Sequence, residues 1–223
     1  MKALVSLSGG LDSTTVLAEA LSQGLEVVAV SFSYGSKHNE FENTQARKIA
    51  EYYNVPFELI ELDGVMKGFT SNLMKSGGEI PEGHYEDASM ALTVVPARNI
   101  IFASILAGKA WSLGCELVFL GIHQGDHAIY PDCRPEFFDA MNKAIDTGTD
   151  GKVLLAAPFL TTDKAGIVKR GLELGVPYEL TRTCYKHQKI ACGKCGSCRE
   201  RLEAFEKNNA KDPICYEQSM ESK

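Results

Sequence analysis

The sequence predicts an α/β fold: a doubly wound, mainly parallel sheet with a small four-cysteine appendage at the C-terminal end. Three observations predict it. Apolar runs of strand length alternate with longer segments of helical period, a loop rich in glycine and hydroxyls joins the first strand to the first helix, and four cysteines crowd late in the chain.

Ala3 to Leu7 is an apolar run with no polar alternation, as expected of a strand buried on both faces. The loop Ser6 to Asp12 follows, and Ser13 to Ser22 carries apolar residues at three-and-four spacing, so it reads as a helix. Val27 to Phe32, Phe57 to Leu62 and Leu117 to Gly121 read as further strands, and Glu40 to Asn54, Arg98 to Leu113, Pro135 to Ile145 and Lys164 to Leu174 as further helices. Pro135 and Glu136 suit the first turn of a helix. Between about Gly64 and Thr93, Gly77-Gly78, Pro81 and Gly83 punctuate polar sequence, which reads as a mobile flap over a site. The tail from Asn208 is polar and reads as loosely held. Residues 1–180 are expected to form the main domain and residues 181–223 the four-cysteine segment.

Composition narrows the function. The 223 residues, 44% hydrophobic, suffice for one well-buried core. No apolar run approaches the about 18 residues of a membrane helix, and Met1-Lys2-Ala3 leads into a strand without the pattern of a signal peptide, so a cytoplasmic protein is expected. Lys and Arg total 23 against 29 Asp and Glu, a net charge of -6 that gives no electrostatic footprint for nucleic acid and favours small-molecule ligands. Nothing in the sequence sets the oligomeric state, and a homodimer stays open. Seven cysteines, an odd number, argue for metal or redox chemistry over a disulfide framework.

The loop Ser8-Gly9-Gly10-Leu11-Asp12-Ser13-Thr14 sits where the first strand ends at the carboxyl edge of the sheet, the edge at which doubly wound folds bind ligands. Glycines 9 and 10 let several amides face one anion while the following helix adds its positive end. No Gly-Lys-Ser or Gly-Lys-Thr closes the loop and a third glycine is missing, so it is neither a Walker loop nor a dinucleotide fingerprint. The plainer alternative is a tight turn capped by Asp12 or Ser13.

Cys184, Cys192, Cys195 and Cys198 are separated by seven, two and two residues, with Gly193 and Gly196 softening the turns. Four thiolates so spaced suit a closed tetrahedral zinc site of structural role; an iron–sulfur cluster uses the same ligands, and reduced surface thiols are the bland reading. In Tyr130 to Phe137, Arg134 offers a planar fork to a carboxylate and Asp132 can accept two hydrogens from an amidine-like edge such as that of guanine, unless they merely cap a helix. Arg98 and Lys164 each open a predicted helix on the same sheet edge, where a cation serves phosphate or a developing oxyanion.

Ser8-Gly9-Gly10-Leu11-Asp12-Ser13 resembles the pyrophosphate loop (PP-loop) of the ATP-pyrophosphatase superfamily, with its adenine nucleotide alpha hydrolase-like fold. The resemblance implies that ATP is split into AMP and diphosphate, with Ser8, Gly9, Gly10, Leu11, Ser13 and Thr14 binding ATP and Asp12 supporting magnesium. Adding Tyr34-Gly35, Val95-Pro96, Arg98-Asn99, Tyr130 to Phe137, Asp163-Lys164-Ala165, Leu174 to Tyr178 and the four cysteines, nearly the whole chain resembles the 7-cyano-7-deazaguanine synthase (QueC) family. That implies a ligase that uses ATP to convert 7-carboxy-7-deazaguanine and ammonia to the nitrile through an acyl-adenylate and an amide, in queuosine biosynthesis, with zinc and magnesium. Asp12, Ser13, Arg98 and Lys164 inherit catalytic roles, and Asp132, Arg134 and His38 substrate contacts. Ser36-Lys37 replaces the family's usual Gln-Arg before His38, Ala97 replaces a glycine, and Gly125 to Ile129 replaces an Asp-Tyr-Ser-Gly-like run. The chain length leaves no room for a glutamine-hydrolysing domain, which implies free ammonia or an external amine. Other readings are a relative that conjugates the acid to a peptide or protein amine, a sulfur-transferring enzyme acting on RNA, and a non-catalytic nucleotide sensor.

Overall fold

In the computed structural model, which describes residues 1–84 and 87–217, five parallel strands form one sheet. They are β1 (Lys2–Ser6), β2 (Glu26–Ser33), β3 (Phe57–Glu61), β4 (Leu117–Phe119) and β5 (Leu154–Ala156), in the order β3-β2-β1-β4-β5. Ala3 pairs with Val27 on one side and Leu117 on the other, so β1 is central. The order reverses at β1, and the crevice between the carboxyl ends of β1 and β4 is the switch point where such sheets bind ligands.

Strand alternation fills two cores. Leu4, Val28, Val30 and Val118 face one side, where they meet α3 (Arg98–Leu113) and α4 (Pro135–Gly148). Ala3, Val5, Val27 and Ala29 face the other, against α1 (Leu11–Ser22), α2 (Asn39–Tyr52), α5 (Lys164–Glu173) and α6 (Gly196–Lys207). Both faces of the central strands are therefore dry, which explains their unbroken apolar sequence.

The structure corrects four local expectations. First, α1 begins at Leu11 with Gly10 as its N-cap and no side-chain cap, so Asp12 and Ser13 lie inside the first turn. Second, none of the described residues of the segment 64–93 lines the crevice. Met66, Leu73 and Met90 are buried, Lys37 Nζ donates to the carbonyls of Asn72, Gly77 and Gly78, and the segment ends in a 3₁₀ turn, Ala88–Thr93. Residues 85 and 86 lie outside the described part. Third, two regular elements join those expected from the sequence, β5 and α6. β5 has three residues, too few to show alternation, and the most buried large side chain of α6 is the cation Arg201.

Fourth, the tail is held as far as residue 217. Asp212 accepts from Arg201 Nε at 2.7 Å and Nη2 at 2.9 Å, and Tyr216 donates its hydroxyl to Asp212 at 2.6 Å. The amide of Glu217 then donates to the carbonyl of Ala191, beside the cysteines. An ion pair this buried is worth little against an apolar isostere but is costly to halve, so it fixes the tail's path.

Candidate active site

The loop after β1 is shaped by a steric demand. Gly9 has φ +84°, and a Cβ there would lie 2.5 Å from the carbonyl oxygen of Glu42 and 2.6 Å from the amide nitrogen of Ala46. Only glycine allows the loop to dock this closely on α2. Docking turns Ser8, Gly10, Leu11, Asp12 and Ser13 toward a cleft of about 200 Å³. Ser8 and Ser13 hydroxyls lie 3.0 Å apart, and the Ser8 amide donates to Ser13 Oγ at 3.2 Å. Hydroxyls and amides at the start of α1 thus lie together where, with the helix dipole, they could hold an anion. Thr14 stands behind it: fully buried, its hydroxyl donates to the Gly10 carbonyl at 2.7 Å.

A charged cluster borders the cradle. Lys164, the first residue of α5, donates to Asp12 Oδ2 at 2.7 Å and approaches Glu200 of α6 at 3.2 Å. His123 Nδ1 accepts from the Gly125 amide, so Nε2 carries the proton toward Asp126 at 3.5 Å and Asp12 at 3.9 Å. Burial by itself would raise the Asp12 pKa, but Lys164 and His123 pull it below its ordinary value. Burial likewise opposes the charge of Lys164, and Asp12 and Glu200 overcome it and raise its pKa. Asp12 Oδ1 is buried with no hydrogen-bond partner. An ionised oxygen left open beside an anion cradle fits a hard divalent cation.

At the far end the cleft is lined by Tyr34, His38, Glu42, Arg98, Tyr130 and Arg182. Burial, then the charges of Arg98 and Arg182, lower the His38 pKa to about 3, so its ring is neutral. Burial raises Glu42 to about 8 against the pull of the same two guanidiniums.

Asp132 and Arg134 are not on this wall. The Asp132 carboxylate accepts from the Asn99 amide at 2.9 Å, capping the start of α3 from a neighbouring loop, and Arg134 Nε donates to the His127 carbonyl at 2.9 Å. A guanidinium and a carboxyl group that do line the cleft are those of Arg98 and Glu42. Arg98 follows Ala97, which holds φ +55° at the helix entry.

The thiol sulfurs of Cys184, Cys192, Cys195 and Cys198 all lie within 4.8 Å of one another and are buried. The amides of Lys194 and Cys195 donate to Cys192 Sγ at 3.4 and 3.3 Å, as expected around a thiolate. Hydrogen bonds from Cys184, then Cys195 and Cys198, hold the Cys192 thiol well below its ordinary value. Four buried thiols convergent on one point form a set that could hold a metal ion.

Residues 2–209 match the family described as queuosine biosynthesis protein QueC. The chain belongs to this family. It is 47% identical over 217 residues to a 7-cyano-7-deazaguanine synthase of Caldicellulosiruptor bescii, covering 97% of this chain and 98% of that one. To the 7-cyano-7-deazaguanine synthase of Hahella chejuensis it is 45% identical over 216 residues, covering 97% and 93%. In fold it is similar to the U34-tRNA thiolase NcsA from Methanococcus maripaludis with its [4Fe-4S] cluster, at a TM-score of 0.51 and 16% identity over 93% of this chain and 67% of that one. It is similar, too, to the NMN synthetase from Francisella tularensis, at a TM-score of 0.50 and 16% identity over 94% and 78%.

The sequence did not single out Glu42, His123, Arg182 and Glu200 of this QueC-family chain. Glu42 lies four residues after His38 on α2, a spacing that places both on one helix face, and this was the legible signal. His123, Arg182 and Glu200 come to the site only through tertiary packing of separate elements.

Proposed function

We propose that the chain is an ATP-dependent ligase that converts 7-carboxy-7-deazaguanine and ammonia to 7-cyano-7-deazaguanine, releasing AMP and diphosphate, in queuosine biosynthesis. One observation carries the reading: Ser8, Gly10 and Ser13 line one cleft with Asp12, whose Oδ1 has no hydrogen-bond partner, and with Lys164. The product is the one in the names of the 45–47% identical relatives, 7-cyano-7-deazaguanine synthases, and the acid and ammonia are this reading's substrates for it.

A carboxylate is a poor electrophile because its leaving group would be an oxide. Attack of the acid on the α-phosphorus of ATP converts that oxygen into part of AMP, and the diphosphate leaves. Ser8, Gly10, Ser13 and Lys164 line one cleft, and in this reading the hydroxyls and amides take the leaving charge with the Lys164 cation beside it. Magnesium bound with the nucleotide would neutralise phosphate charge, with Asp12 Oδ1 as its protein ligand. Ammonia then displaces AMP to give the amide. A second ATP activates the amide oxygen, whose departure with AMP leaves the nitrile. Both passes use one cradle. Zinc on the four cysteines would leave no open ligand position, so its role is to fix the turn that leads into α6.

The test is product analysis by mass spectrometry after incubation with ATP, magnesium, ammonium and the acid. The reading requires AMP, diphosphate and the nitrile, and the amide supplied alone with ATP must be dehydrated. ADP and phosphate as products, or acylation of an added peptide amine with no nitrile, would refute it.

A further inference from the structure

Three carboxylates line the cleft, Asp12, Glu42 and Asp126, and their surroundings differ. Asp12 is ion-paired with Lys164 at 2.7 Å, and Asp126 faces His123 at 3.5 Å. Glu42 faces His38 Nε2 at 3.5 Å, and that ring is neutral at any physiological pH. The guanidiniums that influence Glu42 are engaged elsewhere or open to the cleft. Arg182 donates Nη2 to the Lys186 carbonyl at 2.8 Å and lies over the Phe41 ring, while its Nε is buried without a partner. Arg98 stands beside Tyr34. The Glu42 backbone carbonyl meanwhile rests against Gly9, so its position relative to the anion cradle is fixed.

We propose that Glu42 determines acceptor specificity, its two carboxylate oxygens receiving the paired N–H donors of a 2-amino-4-oxopyrimidine edge. This rests on the synthase reading above, because such an edge belongs to its acceptor. Ring N–H and exocyclic amine point the same way at a spacing that one carboxylate matches, as it matches the fork of an arginine. The corresponding edge of adenine offers one donor beside an acceptor, and a carboxylate oxygen repels the latter. Glu42 therefore also keeps the nucleotide base out of the acceptor subsite. The cost of burying the carboxyl in the empty cleft is relieved when donors arrive. Arg98 and Arg182, which also line the cleft, leave positive charge for the acid group.

The experiment compares 7-carboxy-7-deazaguanine with the analogue lacking the 2-amino group, in the wild-type chain, Glu42→Gln and Glu42→Ala. The wild type should prefer the full acid by about 100-fold or more in kcat/KM. Glu42→Gln should lose about 10- to 100-fold on the full acid, mainly through KM, and prefer it by less than about 5-fold, with KM for ATP within about 3-fold of wild type. Unfolding midpoints of both variants near wild type keep a folding defect from mimicking this result. Wild-type turnover with undiminished discrimination in both variants, or a rise in KM for ATP alone, would overturn the assignment to Glu42. Absence of any wild-type turnover of the acid would instead refute the synthase reading, and this one with it.

Discussion

Replacing Asp212 by Ala removes one side of a buried ion pair and tests whether the end of the chain is part of the fold. Arg201 is fully buried, and its donors are all engaged: Nε and Nη2 with Asp212, Nη1 with the hydroxyls of Thr181 and Thr183, Nη2 also with the Tyr178 carbonyl. Asp212 further accepts from the Ile214 amide at 3.2 Å and the Tyr216 hydroxyl at 2.6 Å. The substitution leaves a buried guanidinium without its counter-charge and removes an acceptor of the Ile214 amide and the Tyr216 hydroxyl, so the expected loss is about 3–5 kcal/mol. For a domain of this size that lowers the melting temperature by roughly 6–20 °C. Urea unfolding followed by circular dichroism measures it. Because Tyr216 and Glu217 lean on the cysteine turn, metal retention should fall in parallel. The double change Arg201→Met with Asp212→Leu should recover most of the stability, since no charge is then stranded. A loss below about 1 kcal/mol for Asp212→Ala would refute the claim that this pair anchors the tail.

Three further outcomes follow from the same geometry. Gly9→Ala forces a Cβ to within 2.5 Å of the Glu42 carbonyl at φ +84° and should cost about 2–4 kcal/mol and weaken ATP binding; an unchanged denaturation midpoint would show that the loop does not need that approach. Purified protein should be colourless and carry about one zinc per chain by elemental analysis, with Cys195→Ser losing metal and stability together; visible absorbance typical of an iron–sulfur centre would overturn zinc. The Glu42 carboxyl keeps its proton up to about pH 8 in the folded chain, while the unfolded carboxyl loses it near 4.5. The native state therefore binds more protons across that window, and stability falls as pH rises through it. Glu42→Gln should flatten this slope in thermal scans between pH 5 and 8.5, and an identical slope would contradict the burial of that carboxyl.

Four of the five strands, five of the six helices and the loop after β1 were legible because each has a local cause. Strands buried on both faces show unbroken apolar runs, and a loop at the end of the first strand has its glycines and hydroxyls together. What escaped were features whose cause is distant in sequence. α6 buries the cation Arg201 among Cys198, Ala204 and Phe205, which interrupts its apolar stripe, and its Glu200 reaches Lys164 from 36 residues away. The hydrogen bond from the Asn99 amide to Asp132 was not legible either, because its two residues lie 33 positions apart. Ala97 shows what a family departure means physically: the position requires left-handed backbone, and alanine there costs about 1 kcal/mol relative to glycine.

The measurement that tests the central claim most directly follows the acid oxygens. With 7-carboxy-7-deazaguanine labelled with ¹⁸O at both carboxylate oxygens, single-cleft adenylation in two passes predicts two AMP per nitrile, each carrying one ¹⁸O, and unlabelled diphosphate. Label in phosphate together with ADP, or one labelled AMP per turnover with the second label retained in a final amide, would contradict it.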